Sequence, residues 1–562
     1  RFLGDVISPL IIVLDDNKPC LAKQLSLKGH HVLVALGSGA GAPDEAVRLP
    51  RLPPYEMSKL LQEMGVPEPQ ANSLAKDSAR SLSVLRRLIP SAGAAVPPAW
   101  ATGDAARILT GVLFAGSWDE RSAQDRSALE KLTGKKYDDL IAALTPLLAF
   151  TDSPLRKAGT AWKIASPRDA WFRLAYQITK SDIDRLEKVA LEALETPNPE
   201  YDVDPEKRWM SFKVDDDSYS ELLRRGIAET LAVMSVYPEQ ATTVNIKQWP
   251  AYLVRKLFEN ADGRRWWSLS PEIQILVEAA PDALLTAIET SLDSNSQSVM
   301  ELFMESEGLF GRAHHVQLLW ALEMLAWSPR YISRASAILA RLAKLDPGGR
   351  YSNRPMESLR SIFLPWCPQT SVGLDMRVEV LEKLREVEPV ISWNLLLSIL
   401  PKGHDTVTPS PKPQWLDLPL DPPETVTYAL IRKGAEITAG MLMADVGVDV
   451  KKWEMLLQRY ADFSPTQHEE IISKLRATVV TSKDESLRNT VWTGIRKILN
   501  HHRAYPEAKW RMSESELEKL EPIYESLSPT DRVEKISWLF SDYETMLPKP
   551  TGKGWQEDQI EV

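Results

Sequence analysis

Cysteine is nearly missing from this chain. Its 562 residues include two, Cys20 and Cys367, far apart in sequence. That excludes a disulfide framework and a cysteine-based zinc site. It also fits a reducing cytoplasm. No apolar run reaches membrane-spanning length, and no signal peptide is visible. An excess of positive charge is missing too: the formal net charge is −10. Adhesion to nucleic acid or to a membrane surface is therefore not the expected main activity. No Gly-x4-Gly-Lys-Ser/Thr phosphate loop occurs. The "TGKK" near Gly134 and the "TGKG" near Gly552 lack its spacing and its hydroxyl. The histidine pairs His30–His31, His314–His315 and His501–His502 are sequence neighbours. Neighbours do not share a face of a helix or strand, which argues against a metal site.

What is present is an ordinary soluble composition, 44% apolar and 26% charged, in a chain too long for one core. Tryptophan is abundant, 18 residues against 11 phenylalanines. Packing between helices is its expected role. The chain starts at Arg1, just before a core strand, and stops at "GWQEDQIEV". It is read as an internal piece of a longer protein.

"SPLIIVLDD", residues 8–16, is a continuous apolar run ending in two carboxylates. Such a run predicts a parallel strand buried on both faces. "PCLAKQLSLKG" predicts a short helix stopped by Gly29, and "HHVLVALGSG" a second buried strand. Together they make a βαβ unit. "YEMSKLLQEMG" and "PQANSLAKDSARSLSVLRRLI" predict a small group of helices, closed by the linker "AGAAVPPAW". Three helices follow, then a hairpin turning near Gly159, then a helix at "SPRDAWFRLAYQI" with Pro167 in its first turn. Beyond Ser181 the pattern is one of helix pairs. In "YISRASAILARLAKLDPGG", Ile332, Ala335, Ile338, Leu339, Leu342 and Leu345 form an apolar stripe. The long proline-rich loop Pro401–Glu424 interrupts the pairs. Loops of that length are often functional or mobile.

This order of parts resembles the STAND class of P-loop NTPases, which includes the NACHT and apoptotic-ATPase groups. It looks closest to the bacterial antiviral members that sense phage proteins. The motif order carries the resemblance over roughly residues 5–180. It implies a mainly α fold: the C-terminal part of an α/β P-loop NTPase core (1–45), a helical lid (46–98), and a winged-helix-like domain (99–180). An α-solenoid of degenerate helix pairs would follow (181–400 and 425–562), interrupted by the proline-rich loop (401–424).

By position, "LIIVLDD" resembles the Walker B strand. Asp15 and Asp16 would then hold Mg²⁺ and polarise the attacking water, as a hard cation beside a phosphoryl group requires. The other reading of these aspartates is a helix cap. Gly37–Ser38 and "ARSLSVLRR" depart from the family's γ-phosphate sensor and adenine-contacting turn. Ser166-Pro167-Arg168-Asp169 stands where the family carries Met-His-Asp. Ser166 or Arg168 would contact a nucleotide phosphate from a helix start. The alternative is an ordinary Ser-Pro helix start with a solvated arginine and aspartate.

The resemblance implies a cytoplasmic ATP/ADP switch that hydrolyses nucleotide if a Walker A loop lies upstream. A protein trigger would bind the helical array, and activation would bring homo-oligomerisation and an effector domain outside the fragment. Neither membrane nor direct nucleic-acid binding is expected of this piece. The rival expectations are a STAND-type transcription regulator and a nucleotide-free helical scaffold.

Overall fold

The computed structural model describes residues 9–14, 19–34, 52–78, 81–89, 97–150, 152–203, 218–305, 313–402, 404–416 and 424–536. These form a mainly helical protein with few strands, in two units: Arg1–Gln317 with Pro413–Asp417, and Leu318–Lys412 with Leu418–Val562. No helix among the described residues is long and apolar enough to cross a membrane.

The first unit opens with β1 (Ile11–Leu14), α1 (Pro19–Leu27) and β2 (His31–Val34). The strands run parallel, Ile11 opposite His31 and Leu14 opposite Val34, so the expected βαβ unit is present. Gly29 ends the helix region at φ +84°, a conformation that glycine adopts without strain. The expectation that these strands are buried on both faces is corrected. Ile11 is 74% and Leu33 59% exposed. They share one side of the pleat with His31, and α1 covers the other side with Leu25. A single crossover helix can cover only one face of a two-stranded sheet.

Helices α2 (Pro54–Glu63), α3 (Glu68–Asp77) and α4 (Leu82–Leu88) come next. They close around Leu61, Ala71, Leu74, Ala75 and Leu85. Then follow α5 (Gly103–Ala115), β3 (Ser117–Asp119), α6 (Ala123–Thr133), α7 (Tyr137–Leu144), β4 (Leu155–Ala158), β5 (Ala161–Ile164) and α8 (Pro167–Leu174). The expected hairpin turns at Gly159, with φ +61°. Strand β3 was not foreseen: it makes an antiparallel sheet of order β3-β5-β4. Trp118 and Trp162 stack across it, ring centres 5.5 Å apart and planes 4° from parallel.

The unit continues with α9 (Lys180–Glu195), α10 (Glu221–Val236), α11 (Trp249–Phe258), α12 (Gly263–Leu269), α13 (Ile273–Ala279) and α14 (Pro281–Asp293). Helix α10 meets the α5–β3 junction backbone to backbone. A Cβ on Gly226 would lie 2.1 Å from the Ala115 carbonyl oxygen, and one on Gly116 2.7 Å from the Gly226 oxygen. Asp125 ties the same region together. Its carboxylate accepts from the N–H of Asp119 and of Ser220, both at 2.9 Å.

The second unit contains α15 (His315–Ala326, from Leu318), α16 (Ile332–Leu345), α17 (Pro355–Phe363), α18 (Leu374–Val387), α19 (Pro389–Ser398), α20 (Tyr428–Asp445), α21 (Val450–Gln458), α22 (Pro465–Leu475), α23 (Glu485–Ala504), α24 (Glu514–Glu518), α25 (Glu521–Leu527) and α26 (Arg532–Ile536). The stripe foreseen on α16 is buried at Ile332, Ala335, Ile338, Leu339 and Leu342. Within this unit the proline-rich loop is tied down. Asp405 pairs with Arg360 and accepts from Trp366 Nε1 at 3.2 Å; Ser410 N–H donates to Gln369 Oε1 at 3.0 Å. Trp100, Trp118, Trp162, Trp171, Trp266 and Trp453 are all fully buried, the packing role expected of them.

Two outcomes follow from this packing. Gly226→Ala forces α10 away from α5 and costs about 3 kcal/mol, or the fold itself, in a urea unfolding titration. A loss under about 0.5 kcal/mol would mean the backbones are not in contact. The second concerns His502 on α23. Its ring is buried, and Met512 N–H donates to Nδ1 at 3.2 Å, so Nδ1 must carry no proton. Burial, then the charges of His501 and Arg511, depress its pKa to about 4. A depressed pKa gives stability that is whole above the unfolded value near 6.5 and is lost as pH falls towards 4. The melting temperature of the native chain should therefore fall faster over that window than that of His502→Leu. Parallel profiles would contradict it.

Candidate functional site

The start of α8 is built by local sequence. Ser166 is the N-cap, and its hydroxyl accepts from Asp169 N–H at 3.2 Å. Pro167 occupies the first turn, where its missing N–H is not needed. Asp169 adds a carboxylate to that turn, the favourable end of the helix dipole for negative charge. So the Ser-Pro helix start is present as such. Its aspartate is not solvated, however, and its arginine is only partly so: Asp169 is 3% exposed.

Asp169 faces Arg87, in the last turn of α4. Arg87 Nε–H donates to Oδ1 at 3.1 Å and Nη2–H to Oδ2 at 2.6 Å, a fork on a carboxylate. Nη1–H donates to Asp152 Oδ2 at 2.9 Å. The Arg87 side chain is 9% exposed and that of Asp169 4%. Trp100 closes one side: its Nε1–H donates to the Asp152 carbonyl oxygen at 3.0 Å, and its ring lies 5.9 Å from the guanidinium carbon. Burial works against the charge on Arg87. The hydrogen bonds and charge of Asp169, then those of Asp152, outweigh burial and hold the guanidinium above its ordinary pKa.

Arg168 makes a second point of attachment in the opposite sense. Its Nη1–H donates to Asp77 Oδ2, at the end of α3, at 3.1 Å. Ser73 hydroxyl donates to the same oxygen at 3.1 Å. The guanidinium carbon sits 5.0 Å from the Tyr237 ring and 5.9 Å from that of Phe172. Thus α8 and the α3–α4 pair each send an arginine to an aspartate of the other.

The structure brings Ser166 and Arg168 together, but on protein groups. The Ser166 oxygen is taken up by Asp169 N–H. Arg168 is held by Asp77 and lies beside the paired rings of Tyr237 and Phe172. In this arrangement the pair does not fit a nucleotide phosphate. Asp15 and Asp16 lie outside the described residues, as do Gly37 and Ser38. Among the described residues no cluster of three or more His, Cys, Asp or Glu is arranged to hold a metal ion.

The chain matches no family model and no curated protein.

Sequence reasoning passed over Arg87, Asp152 and Asp77. A weak signal for one of them existed: "VLRRL" places arginines in the last turn of a short helix. Nothing local says that a carboxylate more than sixty residues away meets it.

The two attachments differ in burial, and that sets their strengths. Arg87→Ala strands two carboxylates and should cost about 3–5 kcal/mol in the first unit. Arg168 is 29% exposed, and Arg168→Ala should cost about 1 kcal/mol or less. Urea titrations of both variants check the ranking; an equal or reversed order contradicts it.

Proposed function

We propose that this chain is the switching part of a nucleotide-dependent regulatory ATPase of the STAND class, of the bacterial antiviral kind. The lid is α2–α4. The winged-helix-like domain is the α5-β3-α6-α7-β4-β5 run, whose helix–strand–helix–helix–strand–strand order supports that reading. The helical array after it recognises a protein trigger, and activation leads to homo-oligomerisation in the cytoplasm. Asp15 and Asp16 would carry Mg²⁺ beside ATP, with hydrolysis dependent on an upstream phosphate loop.

The observation that carries this reading is the crossed clasp. The helix after the hairpin is the place where the resembled family locks its resting state. Here that helix is fastened to the lid through Arg87–Asp169 and Arg168–Asp77. A switch needs a closed state that is stable but held by few, separable contacts, and a trigger that binds the open state better. Each 1.4 kcal/mol removed from the clasp moves the balance about tenfold towards the open state.

The test uses the full-length protein. Asp169→Asn keeps the shape, leaves one of the two accepting oxygens and removes the charge. Light scattering should show oligomers without trigger in this variant and monomers in the native protein. Adenine nucleotide should be released on denaturing the native protein. A native protein that carries no nucleotide, binds none with Mg²⁺, and still responds to its trigger overturns the reading.

The engagement of Ser166 and Arg168 by protein groups favours a second reading, a nucleotide-free helical scaffold. In that case Asp169→Asn lowers stability and leaves the oligomeric state unchanged.

A further inference from the structure

Glu278, on α13, is a buried carboxylate, 2% exposed. One of its oxygens, Oε2, accepts three consecutive backbone N–H groups: Gln414 at 2.7 Å, Trp415 at 2.6 Å and Leu416 at 2.9 Å. Successive N–H groups converging on one point are how a peptide loop holds an anion. On its other side the loop tip meets α3. Lys76 Nζ donates to Gln414 Oε1 at 2.5 Å, and the ammonium lies 4.6 Å from the centre of the Trp415 ring. The tip, α3 and α13 all belong to the first unit, although the chain on both sides of the tip belongs to the second.

We propose that Gln414–Leu416 is a latch that fastens the lid helix α3 to α13 within the first unit.

Several features separate a latch from ordinary packing. The tip is joined by hydrogen bonds and one cation–ring contact, so it can leave without opening a cavity in a core. The segment leading to it, "TPSPKPQW", has proline at 409, 411 and 413. Proline at alternate positions keeps such a segment extended and lowers the entropy lost in holding its end. Glu278 is costly to bury unless something supplies donors. Burial raises its pKa, against the opposing hydrogen bonds of Leu416, Trp415 and Gln414 and the Lys76 charge. The loop thus meets a need that α13 creates. In the switch reading, the lid is released only after the tip has left; the latch itself requires no nucleotide.

Hydrogen–deuterium exchange on the full chain tests this, comparing native protein with Glu278→Ala and Trp415→Ala. In native protein the amides of 414–416 should exchange at least about tenfold more slowly than a free peptide. Glu278→Ala should lose that protection; Trp415→Ala, which keeps the three N–H groups and removes the ring under Lys76, should weaken it in part. Both should also speed exchange in α3 by about tenfold while leaving the α10 amides unchanged. Trp415 is a half-buried loop residue, so its variant decides the matter if Glu278→Ala does not fold. Free-peptide exchange at 414–416 in native protein, or unaltered α3 exchange once the tip is freed, overturns the latch. Both readouts are independent of nucleotide and of Arg87, so failure here is distinct from failure of the switch.

Discussion

A guanidinium buried between two carboxylates governs how the first unit is put together. Arg87 cannot lose Asp169 without leaving a nearly buried carboxylate unpaired. Its fork geometry also fixes direction, since two parallel hydrogen bonds to one carboxylate tolerate little rotation. Asp169 is committed twice, once to Arg87 and once to the start of α8, where its own N–H is held by Ser166. A tilt of α8 therefore disturbs a cap, an ion pair and the Asp152–Trp100 contact together. The parts are short and polar, yet they act as one joint.

The joint differs in kind from the seam between α5 and α10. That seam is glycine against backbone, with Asp125 threading hydrogen bonds through it. Its stability comes from close contact over many atoms, which falls away steeply once the surfaces separate. It is suited to stay closed. The Arg87–Asp169 and Arg168–Asp77 pairs concentrate their strength in a few directional bonds between two helical pieces. Water and counterions can replace such bonds once they open. The molecule thus has one seam of close backbone packing and another of directional ion pairs. The 414–416 tip belongs to the second kind, since it too is held by bonds that solvent can replace.

Local sequence carried much of the architecture. The parallel pair β1–β2 and its helix followed from two apolar runs and a glycine. The hairpin at Gly159, the α16 stripe and the tryptophan packing followed from spacing and residue type. Strand β3 was hidden because three residues, Ser117–Asp119, carry no period of their own. Their strand character exists only because β5 lies beside them. The open face at Ile11 and Leu33 was hidden for a related reason: an apolar run states what a residue prefers, not whether a partner is there to cover it. At the site, Ser166 and Pro167 announced a helix start, and Arg168 announced a cation near it. Neither residue type announces its partner.

By itself, then, the sequence determined that the chain is mainly helical and where several of its helices lie, α1, α8 and α16 among them. Those properties rest on interactions within a few residues, which spacing records directly. Tertiary structure alone decided that Asp169 belongs to Arg87, that Arg168 belongs to Asp77, and that Glu278 receives a loop from far along the chain. Charge attraction has no preferred separation along the sequence. Its partners are set by which surfaces the folded core brings within a few ångströms.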